Sequence, residues 1–165
     1  MSTSTTTLTM HRTFNCTAEN VFEAWTTPEL MKKWFFTMEP TNKVATNDLR
    51  VGGSWEIVDH RGGKDYRAIG EYLIIDRPNK LVFTFKMPQF NDLQDEISVE
   101  IKDLEKGCEM TFVQGIVVPH EPEWTEEDIE KAMKEFHDQT EQGWGYMFEG
   151  LKQLMETGKI TYPAL

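Results

Sequence analysis

The side chains in this chain that could form a chemical site are mostly aromatic rings, with one amide. Trp34, Trp55, Phe83, Phe85, Phe112, Trp144 and Phe148 sit where local periodicity turns them toward a common interior. Gln114 is the polar member of an otherwise apolar strand face, shared with Cys108, Met110 and Phe112. Large rings around one amide suit a small apolar ligand, with the amide fixing its orientation. The same rings serve an ordinary core, because large apolar side chains are usually just buried. A buried amide needs a partner, and water or backbone can supply it as readily as a ligand.

Reactive constellations are absent from the sequence. His11, His60, His120 and His137 are scattered, with no HxH or HExxH spacing, so no metal is expected. Cys16 and Cys108 form no CxxC and no readable Cys–His pair, and read as inert thiols in a reducing, cytoplasmic setting. GxSxG, phosphate-loop and dinucleotide patterns do not occur, and Gly52-Gly53 and Gly62-Gly63 are turn signals. Glu71 or Asp59 could act as an acid or base only by pointing into a dry cavity. No catalysis and no cofactor are assigned.

A second candidate set is Trp124, Ile129, Met133 and Phe136. These give one apolar face to the 119–142 segment, which holds nine acidic and two basic residues. Such a segment can be a lid over a cavity mouth, a docking surface, or a plain solvated helix.

The whole chain bounds these readings. Its 165 residues suit one domain with a real core, and a net charge of −11 disfavours nucleic-acid and anionic-membrane partners. No apolar run approaches the ~20 residues of a membrane span. Residues 1–7, MSTSTTT, read as a disordered tail rather than a signal peptide, and 159–165 as a second tail. The domain between them covers 8–158.

The elements that must position the rings follow in order. Residues 8–14 alternate as a strand. Thr17 caps a first short helix, and Thr27-Pro28 restarts a second. Strands are expected over 43–47, 54–59, 66–75, 81–85, 97–101 and 108–118, joined by short turns at Arg61-Gly62-Gly63-Lys64, Asp76-Arg77-Pro78-Asn79 and Glu105-Lys106-Gly107. Short connections make an antiparallel meander. Thr125 caps a helix through Phe136. Trp144, Met147, Phe148, Leu151, Leu154 and Met155 then stripe one face of a final helix, with the continuity of the two near Thr140 left open. Gly143, Gly145 and Gly150 each cost such a helix about 1 kcal/mol relative to Ala, which points to close approach or to room left for something.

Several stretches resemble a known family. They are Val21-Phe22-Glu23-Ala24-Trp25-Thr26-Thr27-Pro28-Glu29-Leu30 with Lys33-Trp34; Asp48-Leu49-Arg50-Val51-Gly52-Gly53-Ser54-Trp55; Gly70-Glu71-Tyr72; Asp76-Arg77-Pro78-Asn79-Lys80-Leu81-Val82-Phe83-Thr84-Phe85; and Gly143-Trp144 with Phe148 and Leu151. Together they look like the START-like (SRPBCC) superfamily, in the branch similar to activators of heat-shock-protein ATPase. The resemblance spans about residues 8–156. It implies an α+β helix-grip fold: a curved antiparallel β-sheet wrapped around a long C-terminal α-helix, with two short helices after the first strand and an apolar cavity between. Two departures stand out: Trp34-Phe35-Phe36-Thr37 replaces an aromatic pair with Gly-Pro, and Gln114 stands where many members have His. The chaperone activators carry a further N-terminal domain for which this chain has no room, so ATPase activation is not implied.

The expected function is therefore binding of a small hydrophobic molecule in that cavity. The alternatives are a cyclase- or aromatase-type enzyme in the same cavity, and a stress-linked protein-interaction module. The apolar stripe over 126–136 and the resemblance also make a homodimer an expectation.

Overall fold

The computed structural model describes residues 2–163. Seven strands form one open, curved sheet: β1 Thr3–Phe14, β2 Asn42–Asn47, β3 Ser54–Arg61, β4 Lys64–Asp76, β5 Lys80–Phe85, β6 Asp95–Asp103 and β7 Cys108–Pro119. Their order is β1-β7-β6-β5-β4-β3-β2. Every pairing is antiparallel, so β2 to β7 run as a meander and β1 closes onto β7 along its whole length. Helices α1 Ala18–Thr26 and α2 Pro28–Trp34 follow β1, and α3 Glu126–Thr157 crosses the sheet. This is the helix-grip arrangement the resemblance implied.

The first strand begins earlier than the sequence suggested. Thr3 to Thr7 pair in register with Pro119 to Gly115, so a disordered tail over 1–7 is corrected for residues 3–7; Met1 lies outside the described residues. Threonines favour extended backbone, and β7 offers them a full hydrogen-bonding edge. At the other end, residues 159–163 carry no regular structure, yet Ile160 packs against the core and the Tyr162 hydroxyl donates to the Lys33 carbonyl at 2.8 Å.

The 126–136 and 140–157 segments form a single helix of 32 residues. Its start is fixed by a capping box: the Asp128 N–H donates to Thr125 Oγ1 at 3.2 Å, and the Thr125 N–H donates to Asp128 Oδ2 at 3.0 Å. Its end is closed by Gly158 in the left-handed conformation, φ +78°. The sheet's inner face and the second half of α3 bury the core, including Leu8, Met10, Ile97, Val99, Met110, Phe112, Phe148 and Leu151. At its centre Trp25 touches Trp34, Phe35, Phe83, Phe112, Trp144 and Phe148, with ring centroids 4.7–6.3 Å apart.

Candidate functional site

Void space opens beside this aromatic cluster. Two clefts open along the exposed flank of α3, of about 410 Å³ and about 570 Å³. The smaller lies where β5 ends, β6 begins and β7 ends, under the middle of α3. The larger lies between the end of α2, the edge of β3 and β4, the second half of α3 and residues 160–163. Phe36, Met87, Gly143 and Met147 line both and form the ridge between them.

That ridge has an unusual backbone. Phe36 sits at φ +58°, a left-handed conformation costing a bulky residue about 1–2 kcal/mol. Its ring stacks on Phe85 with centroids 4.7 Å apart, and its N–H points to Met147 Sδ at 3.3 Å. Strain of this kind persists where the surroundings over-determine it, often at binding sites. Across the ridge a Cβ added to Gly143 would meet nothing within 4 Å. Of the two readings for the α3 glycines, room rather than close approach holds at this position.

The expected cavity residues divide by position. Phe85, Gln114 and Trp144 line the smaller cleft, and Trp34 the larger. Trp55, Phe83, Phe112 and Phe148 pack in the aromatic core; the Phe112 and Trp144 rings lie 4.5 Å apart. Among Trp124, Ile129, Met133 and Phe136, only Phe136 reaches a cleft wall. Trp124 and Met133 pack, half-buried, against the core.

Gln114 is 1% exposed, and each of its side-chain polar atoms has a protein partner. The Trp144 indole Nε1–H donates to its Oε1 at 2.7 Å, and its Nε2 donates to Asp95 Oδ2 at 2.8 Å. Because an indole can only donate, the amide orientation is fixed. The Val117 N–H donates to Asp95 Oδ1 at 2.9 Å. Trp144, Gln114 and Asp95 thus form a relay of hydrogen bonds along the wall of the smaller cleft. Burial pushes the Asp95 carboxyl above its usual range, against the lowering effect of the Val117 and Gln114 bonds.

Asp95 is the site residue that sequence reasoning missed. It follows the polar run Asn91-Asp92-Leu93-Gln94, where a carboxylate reads as solvated turn. The available signal was its place at the head of a strand two positions before Ile97, on the face shared with Ile97, Val99 and Ile101.

The carboxylates Glu71 and Asp59 behave differently. Glu71 is exposed. Asp59 is 2% exposed and lines the larger cleft, but three donors converge on it: Thr37 Oγ1 at 2.7 Å, Thr41 Oγ1 at 2.5 Å and Arg61 Nε at 2.6 Å. Its role in this arrangement is to pin the loop after α2 to β3. The thiols of Cys16 and Cys108 face each other, and burial pushes both up, Cys108 to about 12, which keeps them protonated and unreactive. His137, Asp138 and Glu141 could bring ligand atoms within 4.8 Å of one another on α3, but Asp138 is already paired with Lys134 at 2.7 Å. No helix among the described residues is long and apolar enough to cross a membrane.

Known structures share this architecture. A protein of unknown function from Staphylococcus aureus is 31% identical, covering 95% of this chain and 97% of its own, with a TM-score of 0.88. A protein from Rhizobium loti, at 20% identity over 92% of this chain and 98% of its own, superposes with a TM-score of 0.72. The Aha1 dimer of Colwellia psychrerythraea, at 17% identity over 93% and 98%, superposes with a TM-score of 0.65. At those lower identities the likeness concerns the fold alone. No curated protein matches the chain. The family model described as activator of Hsp90 ATPase homolog 1-like protein matches residues 15–156, nearly the whole domain. The chain therefore belongs to the activator of Hsp90 ATPase homolog 1-like family.

Proposed function

We propose that this protein binds a small apolar molecule in the paired clefts along α3, without chemistry on it. The observation that carries the reading is the ridge. A strained Phe36, two methionines and a glycine with open space above it stand between two voids of several hundred Å³ each, within the size range of small-molecule sites. Methionines there adapt to irregular ligands. The first half of α3 serves as the cover, with Phe136 at the mouth of the smaller cleft and Trp124 and Met133 anchoring it to the domain. Self-association is part of the proposal: the Colwellia relative is a dimer, and light scattering that gives a monomer at every working concentration removes this element.

Gly143→Leu tests the binding reading directly. A leucine there extends into the junction of the clefts and suits the helix better by about 1 kcal/mol. The expected outcome is a melting temperature unchanged or raised by about 2–4 °C, with loss of 1-octanol binding by calorimetry. Undiminished octanol affinity in a folded Gly143→Leu protein places the ligand elsewhere.

A further inference from the structure

The smaller cleft has features that a purely apolar ligand does not use. Its aromatic wall of Phe36, Phe85, Phe136 and Trp144 ends at a carboxylate, Asp95. Protein donors take one bond on each Asp95 oxygen, from Val117 and Gln114, whereas a carboxylate accepts about four. No cation among the described residues pairs with it. Among the described residues Lys86 is the one cation lining the cleft, and it makes no ion pair with Asp95. The cleft also opens beside the 119–142 segment, which carries nine acidic and two basic residues. The field at the mouth is therefore negative and draws cations inward.

We infer that the smaller cleft takes an amphipathic organic cation, an amine or quaternary ammonium on an apolar body, with its charge against Asp95 and the surrounding rings. Aromatic walls attract such cations through their π systems, and a desolvated carboxylate supplies the counter-charge. The Trp144–Gln114–Asp95 relay then has a purpose beyond satisfying a buried amide: it holds the carboxylate at one place on the wall. This inference rests on the apolar-ligand reading and names the ligand class of that same site.

The test compares three probes with one tail at constant ionic strength: octyltrimethylammonium, 1-octanol and octanesulfonate. Calorimetry is expected to show the cation binding about tenfold or more tighter than octanol, the scale of a desolvated cation–π contact, and the sulfonate weakest. Asp95→Asn should bring the cation-to-octanol affinity ratio toward one. Because an asparagine amide would face the Val117 or Gln114 donor and could unsettle the wall, pH provides a second reading on the unaltered protein. A bound cation favours ionised Asp95, so the ratio should be high above that group's raised pKa and fall as pH drops through it. Lys86 is the cationic side chain lining this cleft among the described residues. The α3 residues lining the cleft and β7's Gln114, Ile116 and Val117 do not titrate, and neither Asp92 nor Glu96 lines the cleft.

Octanol binding with no cation preference, or a preference that survives both Asp95→Asn and acid, overturns the inference and leaves the apolar site standing. A preference for the sulfonate overturns it in favour of Lys86. Failure of all three probes to bind removes the apolar reading along with it.

Discussion

Helix α3 is two structures in one element. Its second half buries Trp144, Phe148, Leu151 and Leu154 against the sheet and the two short helices. Its first half buries only Ala132, leaves Phe136 37% exposed and carries seven acidic against two basic residues. The second half is held by dense packing, the first by its capping box and by the lighter contacts of Ala132 and Met133. The clefts open where one regime gives way to the other, around Gly143. Binding sites draw on regions of low local stability, and here one helix joins such a region directly to the core.

Trp144→Ala breaks this division most severely. The ring is 2% exposed and its N–H holds Gln114, so truncation should cost about 3–5 kcal/mol as a large-to-small core change. Phe136→Ala, two turns earlier on the same helix, should move stability by under about 0.5 kcal/mol, as for an exposed side chain. It should nonetheless weaken octanol binding severalfold, because Phe136 lines the cleft. Urea denaturation and calorimetry on both variants check the pair. Equal stability losses would mean that the two halves are one cooperative block.

A smaller effect sharpens the boundary. Thr125→Ala removes the side-chain acceptor of the capping box, worth about 1 kcal/mol. Hydrogen exchange should quicken through residues 126–136 and stay unchanged from Trp144 onward. Faster exchange across the whole helix contradicts a division at Gly143.

Much of this architecture could be read from the residues. Alternation in 81–85, 97–101 and 108–118 identified strands because one face of each is buried. Thr3 to Thr7 escaped because they show no apolar alternation; β1's place against the β7 edge, a long-range contact, decides them. Continuity of α3 through Gly143 and Gly145 is likewise decided by tertiary packing. The local cost of two glycines is plain in the sequence, while the packing of Trp144 and Phe148 that outweighs it is not. The rings were legible, but how they divide between core and cleft was not. A void has no residues of its own, and Trp144 lines one while Phe112, 4.5 Å away, does not. Gly143 came nearest to announcing it, as a residue whose cost to the helix required a reason. Asp95 carried no pattern at all, since its role depends on Gln114 and Val117 from another strand.

Titration of the isotope-labelled protein with 1-octanol, followed by amide chemical shifts, tests the central claim most directly. The account predicts saturable shifts concentrated at Phe36, at 85–87, at 114–117 and at 139–147, with the outer face of β3 and β4 unmoved. Shifts that never saturate, or that cluster away from Gly143 and Phe36, would contradict it.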